Sequence, residues 1–169
     1  MTPEERKQLF SDIYSRNRQK LTRFCRISSW DNQGNDLLQD VWTNIWNSLE
    51  HFRGECSADT WAVRVAVNTA LMFRRSQGRQ KRHLKPSAEV EKLAAREPLE
   101  PEFDEEVRKK LYYCVSRLQS RDRMVVSLHL EGMAYGQISE VIGISSSHVG
   151  VVLHRLKPIL KKCITGEEE

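Results

Sequence analysis

No apolar run in this chain approaches the roughly 20 residues that a membrane-spanning helix needs, so bilayer insertion is excluded as a reading of the sequence. The N-terminal segment MTPEERKQLF is polar and carries no signal-peptide hydrophobic region, which predicts a cytoplasmic protein. Cysteine is sparse. Cys25, Cys56, Cys114 and Cys163 lie far apart without a C-x-x-C pair, and in a cytoplasmic chain they read as reduced thiols, not as a disulfide frame or a zinc site. No segment sustains the alternation of a half-buried strand, and there is neither an internal repeat nor a low-complexity tract. The makings of an active site are missing too. His51 and Cys56 share a loop, but no oriented base and no second ligand cluster accompanies them, so no catalytic residue, metal or cofactor is expected.

What remains is a helix-forming chain with uneven charge. With 39% hydrophobic residues, 169 residues suffice for one ordinary domain or two small ones. The net charge of +4 is modest, but Arg74 to Lys85 holds six basic residues and no acid, whereas Pro86 to Glu106 holds eight acids against Lys92 and Arg96. A basic block beside an acidic one points to a nucleic-acid surface followed by a solvated tether. Three of the five prolines, Pro86, Pro98 and Pro101, fall in the acidic stretch. It reads as a flexible linker over 84–105, with one helical turn near Val90 to Ala95, between helical modules at 1–83 and 106–169.

In the first module Pro3 opens a helix with the stripe Leu9, Phe10, Ile13, Leu21 and Phe24, ending near Ser28. Asn35 or Asp36 caps a second, with Leu37, Leu38, Val41, Ile45 and Leu49 inward. After a loop from His51 to Asp59, a third begins at Asp59 or Thr60 and places Trp61, Val65, Thr69 and Met72 on one face. The second module starts with Val107, Leu111, Cys114, Val115 and Leu118 on one helix. Ser120 caps the next, which buries Met124, Val125 and Leu128 and stops at Gly132. The expected fold is therefore all-α, two small helical bundles joined by an acidic linker.

Tyr135 to Arg155, YGQISEVIGISSSHVGVVLHR, has the pattern of a helix-turn-helix. Ile138 and Ile142 stand one turn apart, Ser139 is small where the helices approach, Gly143 makes the corner, Ile144 tucks inward, and Val149, Val152, Leu153 and Leu156 form the second stripe. Pro158 should kink or end that helix, leaving Ile159 to Ile164 as a separate turn or a bent continuation. Rotation by about 100° per residue turns Ser147, Gly150, Val151 and His154 outward, with His148 and Arg155 at the flank. Only Arg155 among these is a certain cation, so base reading must lean on serine, histidine and apolar contact. A plain helical hairpin with Val151 packed on a neighbour would show the same pattern.

The order of these parts resembles a known family. DLLQDVWTNIW (Asp36 to Trp46) followed by WAVRVAVNTALMFRR (Trp61 to Arg75) resembles region 2 of bacterial RNA polymerase sigma factors, and the C-terminal module resembles their region 4. Two modules with only a short linker between them are similar to the extracytoplasmic-function (ECF) group of the sigma-70 family. The resemblance implies a sigma factor that binds core RNA polymerase and directs promoter recognition and transcription initiation. It implies that Asp36, Gln39, Asp40 and Thr43, expected on an exposed helix face opposite the apolar stripe, dock on the clamp helices of the β′ subunit. Phe52, Arg53, Arg64, Asn68, Arg74, Arg75 and Arg79 would meet the downstream promoter element, while Ser146, Ser147, His148, Val151, His154 and Arg155 would meet the upstream one. An anti-sigma factor is a further implied partner. Trp42 and Trp46 are expected at the core or its edge.

The sequence departs from the family pattern at several positions. Val67 stands where an arginine commonly precedes the asparagine matched by Asn68, Met72 where an aspartate is usual, and Gln137 where a glutamate is usual. The frequent Thr-Val-Lys-Ser-Arg run of the recognition helix is His148-Val149-Gly150-Val151-Val152 here, without its two cations. A sigma-like DNA-binding regulator or adaptor held by an anti-sigma partner, without initiating activity, is the alternative.

Overall fold

A computed structural model describes residues 1–29, 33–76 and 105–166. Among them the chain forms seven α-helices and one 3-10 turn: α1 Pro3–Ser28, α2 Gly34–Ser48, the 3-10 turn Leu49–His51, α3 Ala58–Ser76, α4 Glu105–Ser116, α5 Ser120–Leu130, α6 Tyr135–Ile142 and α7 Ser146–Thr165. The all-α expectation holds. The linker over 84–105, with its helical turn near Val90, and the basic positions beyond Ser76 lie outside the described residues except for Glu105.

Helix α1 starts where local chemistry says it should. The Thr2 hydroxyl accepts from the Glu5 N–H at 3.2 Å, the Glu5 carboxylate accepts from the Thr2 N–H at 2.6 Å, and Pro3 follows the cap. Its stripe of Phe10, Ile13, Leu21 and Phe24 is buried, with Leu9 half-buried at the edge. Phe10 and Tyr14 meet the buried Trp42 of α2 at ring separations of 6.1 and 4.6 Å, and Trp46 packs on Phe10 at 5.2 Å. Helix α2 begins one residue before the expected caps, after Gln33, which makes no side-chain cap bond. Gly34 permits that entry, because a Cβ there would lie 3.0 Å from the Arg26 Cα.

Helix α3 turns a different face inward from the one its large residues predict. The buried positions are Ala62, Val63, Ala66, Val67, Ala70 and Phe73, joined by Thr69, whereas Trp61 and Val65 are half-buried and Met72 is exposed. Three alanines let α3 approach α1 and α2 closely, and that close packing outweighs burying the larger Met72.

The second unit, α4 to α7, has its own buried set in Val115, Met124, Val125, Leu128, Ile138, Val149, Val152 and Leu156. Val107, expected inward, is exposed on the first turns of α4. Ser120 is the first residue of α5 and does not cap it. Of the outcomes expected at Pro158, an end is excluded, since helix α7 runs through it. The expectation of four reduced thiols is overturned: Cys114 and Cys163 are joined in a disulfide, with Cα atoms 5.9 Å apart, and only Cys25 and Cys56 remain as thiols. The proline ring sits on an exposed stretch of α7, and Cys163 continues the inward stripe by spacing seven residues beyond Leu156, which carries it to α4.

The two units share one continuous hydrophobic cluster. Helix α1 packs on α4 and α5, and α3 packs on α6. Arg23 of α1 makes a bidentate pair with Glu131, whose side chain is 2% exposed, through contacts of 2.8 to 3.1 Å. Arg123 of α5 is buried and donates to the carbonyl oxygens of Val115, Ser116 and Leu118 at the end of α4, and across the seam to Ser28 at 3.5 Å.

Candidate nucleic-acid interface

The connection from α2 to α3 is built as a rigid corner. Phe52 leaves the 3-10 turn, Gly54 takes a left-handed φ of 73°, and Ser57 closes the helix start, its hydroxyl accepting from the Thr60 N–H at 3.0 Å. Asp59 is fixed to α1 by Arg16 at 3.1 Å and by the Asn17 amide at 2.6 Å. Behind the corner, Phe52 and Trp61 pack ring on ring at 5.3 Å. The result is an open pocket of about 270 Å³ lined by Phe52, Trp61, Arg64, Val65 and Asn68, with the loop residues His51, Arg53, Glu55 and Cys56 around its mouth. Aromatic walls with a guanidinium and an amide at the edge suit an unstacked base and its phosphate.

Four sequence-predicted residues, Phe52, Arg53, Arg64 and Asn68, thus meet at one site, and Arg53 and Asn68 are exposed. Arg74 and Arg75 lie further along α3 toward its C-terminus, and Arg79 falls outside the described residues. Two of the cations are engaged by the second unit. Arg64 donates to the Glu140 carbonyl of α6 at 3.3 Å, and Arg74 donates to the Ser120 hydroxyl at 3.2 Å, with burial pushing the Arg74 guanidinium below its ordinary pKa. Sequence reasoning missed Trp61 and Val65 as pocket walls, having placed them only on one face of the helix with Thr69 and Met72. The signal was present in the two aromatics flanking a short polar loop, Phe52 and Trp61.

The expected docking face on α2 is narrower than its spacing implies. Gln39 is exposed and Asp36 half-buried, but Asp40 is 8% exposed and Thr43 2%. Helix α2 packs against both α1 and α3, so a large arc of its circumference is covered, and a wheel with one buried side overstates what is presented.

The helix-turn-helix is formed by α6 and α7. Gly143 makes the corner at φ 78°, and the Ser145 hydroxyl caps α7 by accepting from the His148 N–H at 3.1 Å. Ser146, Ser147, His148, Val151, His154 and Arg155 are all exposed, which removes the alternative that Val151 is packed on a neighbour. A Cβ added at Gly150 would lie 3.5 Å from the Tyr135 ring. Arg155 pairs with Asp122 of α5 at 2.7 Å, so the one certain cation on this face already has a carboxylate. Among the described residues no group of three His, Cys, Asp or Glu side chains gathers as a metal site, and no helix is long and apolar enough to cross a membrane.

A helical unit with a loop pocket, followed by a helix-turn-helix unit, is the arrangement of a two-part DNA-binding protein. Residues 13–80 match the family described as Sigma-70 region 2, and residues 108–157 match the one described as Sigma-70, region 4. The chain belongs to the sigma-70 family, in its ECF group. It is 30% identical over 134 residues to the ECF RNA polymerase sigma-E factor of Escherichia coli, a match covering 72% of this chain and 66% of that protein, so it spans just under two thirds of that relative's length. It is 27% identical over 165 residues to the ECF RNA polymerase sigma factor SigX of Bacillus subtilis, covering 94% of this chain and 84% of the relative. The sigma factor RpoE from Bartonella quintana, solved in complex with the anti-sigma factor NepR, shares the fold with a TM-score of 0.66 at 14% identity, covering 93% of this chain and 99% of that one.

Proposed function

We infer that this chain is a promoter-specificity subunit: it binds core RNA polymerase, places its two units on a promoter and helps open the duplex. The observation that carries the reading is the pocket between Phe52, Trp61, Arg64 and Asn68 on the first unit, coupled in one chain to the helix-turn-helix of the second. The units correspond to a docking and melting domain at 1–83, an acidic linker at 84–105 and an upstream-element domain at 106–169. Polymerase docking falls to the exposed part of α2, with Asp36 and Gln39 presented to the clamp helices of the β′ subunit and Asp40 and Thr43 supporting them from beneath. Phe52, Arg53, Arg64 and Asn68 receive the downstream element. Arg74, Arg75 and Arg79 hold its phosphates without choosing sequence, and Ser146, Ser147, His148, Val151, His154 and Arg155 face the upstream one. The protein works in the cytoplasm and catalyses no reaction of its own.

Run-off transcription with core polymerase and the chain's native upstream regions tests this. Specific transcripts are expected, falling at least tenfold for Asn68→Ala and for Gln39→Lys, and no stimulation from any native fragment would sink the reading. The face of α7, whose one certain cation is already paired with Asp122, favours a second reading, an adaptor held by an anti-sigma partner without initiating activity. Failure to capture core polymerase in a pull-down, with a correctly folded chain, would favour that adaptor.

A further inference from the structure

Helix α7 is anchored very differently on the two sides of Pro158. Before it, Val149, Val152 and Leu156 are each at most 5% exposed. Beyond it no described residue is fully buried: Leu160 and Ile164 are half-buried and Ile159 is 52% exposed. Pro158 has no N–H, so the His154 carbonyl also loses its helical donor. The fixed covalent tie of these last turns is Cys163, bonded to Cys114 of α4 across 49 positions of sequence. By helical spacing Lys162 stands on the same outer stripe as Val151, Arg155 and Pro158, so the turns held by the disulfide present a cation in line with the reading face.

The two cysteines are unequal. Cys163 is exposed, whereas Cys114 is 3% exposed beneath it. Cys25 is fully buried, and Cys56 belongs to the pocket of the other unit. A bonded pair with one accessible member, in a chain without any other described disulfide, is the arrangement of a reversible site.

We propose that Cys114 and Cys163 form a thiol–disulfide modification site, taking small disulfide oxidants of the glutathione class, that orders the last turns of α7 when oxidised and releases them when reduced. The reduced protein reacts first at Cys163. Its thiolate attacks one sulfur of the small disulfide, the sulfur–sulfur bond breaks, and one small thiolate leaves and takes up a proton. The Cys114 thiolate then attacks the Cys163 sulfur of the mixed disulfide and expels the second small thiolate. Two protein thiols have lost two electrons and two protons, and one small disulfide has become two thiols. The consequence for DNA rests on the sigma-factor reading: ordered turns hold Lys162 in place for a promoter phosphate, so the oxidised form grips the upstream element more firmly.

The test uses the full chain, equilibrated with excess reduced or excess oxidised glutathione and then freed of it. Thiol titration after denaturation should find all four cysteines in the first state and two in the second. Amide exchange over 159–165 should slow on oxidation. Assembled with core polymerase, the oxidised chain should bind a promoter fragment on the order of fivefold tighter. Because Cys163 is exposed, Cys163→Ser should fold and lose the redox response of both exchange and affinity. Four titratable thiols after oxidised glutathione would overturn the proposal, as would exchange rates that ignore the thiol count or a Cys163→Ser chain that still responds. If neither form directs transcription, the sigma-factor reading fails, while the thiol count and exchange rates still judge the switch.

Discussion

Arg123 shows how much one side chain can organise. It is 2% exposed, and its guanidinium bonds go to carbonyl oxygens at the end of α4, groups a helix C-terminus leaves without intrahelical donors. Burial, and then the Arg74 charge, push its pKa down to about 10, which leaves it charged at neutral pH. Arg123→Met keeps most of the volume and removes every donor, so urea denaturation should show a loss of about 3 kcal/mol. At the other end of the chain, the bonds from the backbone and hydroxyl of Thr2 hold the Glu5 carboxyl below its ordinary value of 4.5. A lowered carboxylate pKa stabilises the fold above the unfolded value, and that contribution disappears as pH falls through the folded one. Protection of the first-turn amides of α1, measured against their intrinsic exchange rates, should therefore fall below about pH 4.5, and Glu5→Ala should abolish that fall. Single residues were the least legible level of the sequence. Asp40, Thr43 and Met72 were misplaced because a helix wheel assumes one buried side, whereas α2 has neighbours on two sides and α3 turns its alanines inward.

Elements were read more surely, because their signals are local. The stripes of α1, α5 and α7 and the corner at Gly143 were placed correctly, since periodicity and a left-handed glycine act over a few residues. Gly143→Val should cost at least about 1 to 2 kcal/mol in chemical denaturation and loosen the α6–α7 angle, because a β-branched residue is strained at φ 78°. Locally, Pro158 allows either an end or a bent continuation. The helix continues, and its last turns are bonded to α4 through Cys163. The caps of α2 and α5 were misassigned because Gln33 and Gln119 occupy the cap positions and make no side-chain cap bond, so those starts are set by packing.

At the scale of the whole molecule, the packing of the two units on each other was invisible in the sequence. Arg23 and Glu131 are 108 positions apart, and neither stands out in composition. Their pair closes the seam between α1 and the second unit, beside the Arg123 bond to Ser28. Arg23→Ala leaves a carboxylate that is 2% exposed without its cation, so it should cost about 3 kcal/mol of stability. Small-angle scattering should then report a larger radius of gyration as the units part, whereas an unchanged radius would mean that the shared apolar cluster alone holds them.

The pairing of Arg155 with Asp122 reaches beyond geometry. A guanidinium that must leave a carboxylate before it meets a phosphate gains little from the exchange, and the pair as a whole draws few ions out of the atmosphere around DNA. Upstream contact should therefore vary only weakly with ionic strength compared with the first unit's arginines, and Asp122→Asn should steepen that dependence by releasing one net counterion more. Promoter choice would then be buffered against changes in cellular salt at one element and exposed to them at the other.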